Sequence, residues 1–325
     1  MNRQSMRDAF FDRLYQIAKA DPSVLLISAD MGAPSLDKFR ADLKSQFINV
    51  GIAEQIMATL AAGLALSGKK VFTYAIMPFV TGRCLEPMRV TLSMMNLPVT
   101  VVGVGAGFSY DDSGPTHHST DDLAFMRALP NITLLNASDS VMAAAFAGMA
   151  CQIPGPSYVR LDREVLPHAY PPGHDFTPGL HVHKPGADLA IIATGNMLHK
   201  ALETAAALQS QGVSAGVIDL YRIQPVPAAA LLQALAGAKA ILTLEEHYLT
   251  GGMSSAVIET LADAGLRVPT LRVGVPNKHY YAYGGRASIQ SHCRIDPASV
   301  VSRVMDWLGR ARKDAAACLC PRERT

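Results

Sequence analysis

Phe47–Leu66 reads FINVGIAEQIMATLAAGLAL and places one carboxylate, Glu54, at the head of a helix too apolar to be an ordinary surface helix. Ile56, Met57, Leu60, Ala61, Leu64 and Ala65 recur at helical spacing, and the small residues Ala58, Ala62 and Gly63 fill the faces between. That pattern predicts a helix packed on several sides, in a core or at an interface. An acid in a first helical turn is either a favourable partner for the helix N-terminus or a buried carboxylate kept for chemistry.

Outward from this helix, short β-branched runs alternate with Ala-rich helical stretches, the pattern of a parallel sheet with helices on both faces. Strands are predicted at Val24–Ser28, Val71–Tyr74, Val99–Val104, Ile132–Leu135 and Ser157–Leu161. Helices are predicted at Met6–Ala18, Ala53–Leu66, Phe79–Met95, Asp121–Ala128 and Val141–Cys151. From Pro167 to Pro185 the pattern stops in a proline-rich stretch, expected as a linker or irregular edge. Alternation resumes with strands over 188–194, 214–220, 239–246 and 268–275. Helices are expected at Leu202–Gln209, after Gly251-Gly252, and near Val300–Leu308. The fold class is therefore α/β, with two doubly wound domains over 1–166 and 187–309, a linker over 167–186 and an unstructured tail over 310–325.

A length of 325 residues suits two domains. With 49% hydrophobic and only 17% charged residues, large association interfaces are expected. A net charge of +2 without Lys or Arg runs argues against nucleic-acid binding. No apolar run reaches the roughly 18 residues that span a bilayer, and the first residues lack the pattern of a secretory signal. Five cysteines, Cys84, Cys151, Cys293, Cys318 and Cys320, lack metal-ligand spacing. Reduced thiols in a cytoplasm are the simplest account.

Two loops follow predicted strands at the end where open parallel sheets bind ligands. The first, AIMPFVTGR, carries Phe79 and Arg83. The second, GAGFSYDDSGPTHHSTDD, is long, polar and holds the pair His117 and His118. Long structured loops in compact domains carry function. Adjacent histidines cannot both point the same way, so one can line a cavity while the other holds the turn; a simple hydrogen-bonded loop pair is the other account.

The runs FINVGIAEQIMATLAAGLA, PFVTGR and GPTHHSTDDLAFMRALPNITLLNASD together resemble the pyrimidine-binding domain of thiamine-diphosphate-dependent transketolases. LEEHYLTGGMSSAVIE is similar to that family's C-terminal domain. The likeness covers roughly residues 5–308 in the right order. It implies that Glu54 hydrogen-bonds the aminopyrimidine ring nitrogen of thiamine diphosphate, favouring the tautomer that takes the thiazolium proton. It implies that Phe79 stacks on the pyrimidine, with Arg83 beside it, unless Phe79 is simply core. His117 falls on the substrate-facing histidine, with His118 next to it. Ser35, Arg163 and Arg7 match positions that hold the substrate phosphate. Arg160 is expected to be structural, and the tyrosines at 280, 281 and 283 to form a surface loop.

Two positions depart from the family pattern. Where its transketolases carry an acid before GPTH, this chain has Ser113. Where they carry histidine or arginine, it has Gly105. The family's Gly-Asp-Gly motif and paired asparagines, which bind diphosphate and magnesium, are also missing. The resemblance therefore implies the C-terminal subunit of a split transketolase, completed in an α2β2 assembly by a partner that holds the diphosphate and the metal. The expected activity is transfer of a two-carbon ketol unit between phosphorylated sugars. The alternatives are 2-oxo acid decarboxylation with carboligation, as in deoxyxylulose-phosphate synthase, a 2-oxoacid dehydrogenase beta subunit, and a non-catalytic interaction subunit.

Overall fold

The computed structural model describes residues 4–29 and 33–318. Five parallel strands predicted in the first half form the body of a seven-stranded sheet: β1 (Val24–Ser28), β3 (Lys70–Ile76), β4 (Val99–Val104), β5 (Thr133–Asn136) and β6 (Ser157–Leu161). β1, β4 and β6 are buried along their whole length, which is why they read as continuous apolar runs instead of alternating ones. Two short strands close the edges. β2 (Phe47–Asn49) pairs parallel with β1, and the spatial order is β10-β5-β6-β4-β3-β1-β2.

The second sheet has the order β12-β11-β8-β9-β7. β7 (Leu180–Lys184) lies inside the expected linker and pairs antiparallel with β9 (Ala215–Leu220), so irregular chain ends near Gly179. β8 (Leu189–Ala193), β11 (Ile241–Tyr248) and β12 (Thr270–Val275) are parallel to one another and to β9. β10 (Arg222–Gln224) leaves this half of the chain and adds antiparallel to β5 of the first sheet. The two halves thus share a sheet edge.

The segment expected as one helix over Phe79–Met95 is broken into Met77–Val80, Gly82–Cys84, Leu85–Met88 and a π-type turn over Arg89–Ser93. Pro87 cannot donate to the preceding turn, and Gly82 has no Cβ to favour helix. The closing helix runs Pro297–Cys318, beyond the expected Val300–Leu308, through a tail whose Ala315-Ala316-Ala317 run is strongly helix-forming. Residues 319–325, including Cys320, lie outside the described residues. No helix among the described residues is long and apolar enough to cross a membrane.

The Glu54–Leu66 helix is buried on one face only. Met57, Ala58, Ala61, Ala62 and Ala65 pack on the sheet. Ile56 and Leu66 face outward, Ile52 just before the helix is 76% exposed, and Met94, beyond the π-type turn that packs on the helix, is 71% exposed. The helix ends where Gly68, at φ +83°, lets the chain turn back and satisfy the last carbonyls.

Candidate active site

Ser35, Glu54, Phe79, His117 and Arg163 follow β1, β2, β3, β4 and β6 respectively, so a single end of the parallel sheet presents all five. This is the end at which such sheets bind ligands.

Glu54 is 5% exposed and stands at the first position of its helix, whose N-cap, Ala53, offers no side chain to the free N–H groups. Its Oε2 accepts a 2.8 Å bond from Arg83 Nη1. The Arg83 guanidinium also lies 4.2 Å from the Phe79 ring centroid, a cation–π distance. Gln55 Nε2 donates to the Arg83 carbonyl oxygen at 3.1 Å and fastens that loop to the helix. Cys84 Sγ donates to the Phe79 carbonyl oxygen. Burial, then the nearby Glu54 charge, pushes the Cys84 thiol up to about 12, so it remains a donor.

The Phe79 ring meets the His117 ring edge-on at 5.1 Å. Glu54, Arg83, Phe79 and His117 are thus brought into one cluster. The two histidines do diverge. His117 is half-buried and its Nδ1 lies 3.0 Å from Thr116 Oγ1. His118 is buried, packs edge-on against Phe108 at 5.0 Å and lines a closed cavity of about 30 Å³ with Tyr280. Desolvation lowers its pKa and keeps it neutral. The substrate contact expected of His118 is therefore corrected: its side chain sits inside the loop and away from His117. Tyr280 is likewise buried against Phe108, whereas Tyr281 and Tyr283 are exposed.

The residues expected to hold an anion surround Tyr110, which the sequence did not single out. Arg163 lies 4.8 Å from the Tyr110 ring centroid, and Arg7 acts on the same phenol. Tyr110 is in turn 5.9 Å from the His117 ring. Arg7 pairs with Asp8 at 3.0 Å, and the Ser35 hydroxyl lies beside that carboxylate. Among the described residues, Ser35 Oγ and Tyr74 Oη are buried without a hydrogen-bond partner. Two orphaned hydroxyls beside Arg7 fit a ligand that accepts hydrogen bonds.

Tyr110 also accounts for Gly105. That residue adopts φ +107°, and a Cβ there would run into the Tyr110 ring. Tyr110 occupies the space a side chain at 105 would need. Ser113 is exposed, with its hydroxyl bonded to Asp112 Oδ1 at 3.1 Å. Asp111 faces away and accepts from the Arg286 backbone N–H at 2.6 Å, so it does not replace the missing acid. Arg160 is structural as expected, buried and paired with Asp122 at 2.8 Å.

Residues 2–168 match the family described as Transketolase, pyrimidine binding domain, and residues 179–300 match Transketolase, C-terminal domain. The chain is similar to one of the two kinds of subunit of the apulose-4-phosphate transketolase of Phocaeicola vulgatus, 31% identical over 310 residues, covering 94% of this chain and 98% of that protein. It is 32% identical over 272 residues to the 6-deoxy-6-sulfo-D-fructose transketolase subunit SqwH of Clostridium sp., covering 83% and 84%. A 1-deoxy-D-xylulose-5-phosphate synthase of Chlorobium luteolum is 31% identical over 93% of this chain, but only 48% of that enzyme is covered. Among solved structures, one described as "Split gene transketolase, inactive beta4 tetramer" superposes with a TM-score of 0.85 at 31% identity, covering 93% of this chain and 97% of that one. Two domain matches in order, and subunits matched over nearly their full length, make this chain a member of the transketolase family, in the form of the second subunit of a split transketolase.

Proposed function

We propose that this chain supplies half of a transketolase active site and, with an N-terminal partner subunit, moves a two-carbon ketol unit from a ketose to an aldose. The observation that carries the proposal is the cluster of Glu54, Arg83, Phe79 and His117 at the ligand-binding end of the sheet. A buried carboxylate, an aromatic face and an imidazole fit an aminopyrimidine ring. Thiamine diphosphate, when bound, supplies the nucleophilic carbon and the electron sink for breaking and making the carbon–carbon bond.

Glu54 holds a proton at the ring nitrogen, an interaction that gains strength where water is excluded. Phe79 orients the ring. His117, with Nδ1 turned to Thr116, has its other nitrogen free to pass protons to and from the substrate oxygens. Arg163, Arg7 and Ser35 bind the anionic end of the sugar. The named substrates of two relatives carry a phosphate or a sulfonate, and a pair of arginines suits either group.

The partner is assigned the diphosphate and magnesium, since Gly-Asp-Gly and paired asparagines are absent from this sequence. The exposed apolar band formed by Ile52, Ile56, Leu66 and Met94 is assigned to contacts within an α2β2 assembly in the cytoplasm. The exposed Ser113, without an acid in its place, supports testing 2-oxo acid donors beside ketoses.

Co-purification with a subunit carrying Gly-Asp-Gly, followed by assays with phosphorylated and unphosphorylated sugars, tests the proposal. Arg163→Met should raise KM for a phosphorylated sugar at least tenfold and leave an unphosphorylated one unchanged. Equal effects on both would remove Arg163 from the anion site.

A further inference from the structure

The loop that carries His117 belongs to the first domain, yet its first half is gripped from the second. Glu246, on β11, accepts the Phe108 N–H at 3.2 Å through Oε2, and a Cβ on Gly107 would run into the same carboxylate. Arg286 donates from Nη2 to the Ala106 carbonyl oxygen at 3.2 Å, and its backbone N–H donates to Asp111. The same guanidinium binds Asp162 Oδ2 at 2.7 Å and Glu246 Oε2 at 2.5 Å. Asp162, at the end of β6 and next to Arg163, accepts from Ser109 Oγ at 2.7 Å. One arginine and two carboxylates therefore hold Ala106, Phe108, Ser109 and Asp111, together with the strand end that bears Arg163.

Arg286, Asp162 and Glu246 are all buried. Buried charges persist only when paired and hydrogen-bonded. Gln290 Nε2 adds a 2.6 Å bond to Glu246 Oε1. The loop backbone is itself part of what satisfies the cluster, so moving the loop would strand polar groups in a dry interior.

We infer that Glu246 and Arg286 are positioning residues, through which the second domain sets the place of His117 and couples it to Arg163. The second domain contributes to the reaction without supplying a group that touches the substrate.

Glu246→Gln tests this in the full chain. It removes one of two carboxylates facing a single guanidinium, so Arg286 stays paired with Asp162 and the chain folds, while the charge-assisted grip on Phe108 is lost. Hydrogen–deuterium exchange should rise at least tenfold across residues 105–119, with β3 and β4 unchanged. Glu259→Gln, which removes an exposed partner of Arg127, should behave as the unaltered chain. Unchanged exchange in the loop would overturn the inference. Should Glu246→Gln prove insoluble, Asp111→Asn, which releases only the tie to the Arg286 N–H, carries the same test.

The kinetic arm rests on the transfer reading above. In the complex, kcat should fall about tenfold while KM for thiamine diphosphate is unchanged. A loosened loop with an unchanged kcat would also overturn the positioning role. An inactive unaltered complex would count against the proposed function and leave the exchange result readable.

Discussion

Arg83 donates a 2.8 Å bond to Glu54, and the same guanidinium lies 4.2 Å above Phe79. One cation thus fixes both the carboxylate and the ring assigned to the cofactor's pyrimidine. Arg83→Met should leave Glu54 buried without a cation and lower stability by about 1–3 kcal/mol, read by urea unfolding. KM for thiamine diphosphate should rise roughly tenfold, because the carboxylate is no longer held in place.

His117 and His118 are neighbours in sequence with opposite surroundings. His117→Ala should lower kcat by about 10²–10⁴ and leave unfolding unaffected, the range for a lost proton-transfer group. His118→Ala should instead open a cavity beside Phe108 and Tyr280 and lower the unfolding midpoint. Matched kinetics and melts of the two variants separate the roles.

Much of this arrangement was legible in the sequence. The acid at Glu54 stood out because its helix is so apolar, and the long loop after β4 marked His117. The buried strands were visible as continuous β-branched runs. What escaped was short or long-range. β2 and β10 have three residues each, and β10 makes sense only as a strand lent to the other domain's sheet. Tyr110 has no local signature, and its meaning depends on Gly105 beneath it and on Arg163 above it. Arg286 lies far along the chain from the loop it holds, and spacing cannot reveal such a contact. The small, apolar composition of the Glu54–Leu66 helix suggested packing on all sides. Its open face in the single chain is the half of that signal a partner must account for.

Gly105 and Tyr110 should behave as a coupled pair. Gly105→Ala places a Cβ against the phenol ring in a backbone conformation unsuited to side chains. It should cost about 1–3 kcal/mol. Tyr110→Ala should relieve the steric share but not the backbone share, giving a coupling of about 0.5–3 kcal/mol in a double-mutant cycle. Additive effects would contradict the contact.

Asp219 is fully buried, and burial pushes its carboxyl from 3.8 up to about 7. Tyr170 donates to it at 2.7 Å. Because the folded pKa lies above the unfolded one, the native chain keeps this proton while the unfolded chain gives it up. Its contribution to stability therefore falls as pH rises from about 4 to about 7. Asp219→Asn keeps an acceptor for Tyr170 and should remove that fall, so the variant gains on the unaltered chain between pH 5 and pH 8 in thermal melts. Parallel curves would show that Asp219 does not titrate in this window.

The most direct measurement is ketol transfer by the chain combined with a Gly-Asp-Gly subunit, thiamine diphosphate and magnesium, comparing the unaltered protein with Glu54→Ala. The account predicts transfer only when both subunits are present, with at least a hundredfold loss for Glu54→Ala in a complex that still assembles. Full activity in the Glu54→Ala complex, or transfer by this chain alone, would contradict it.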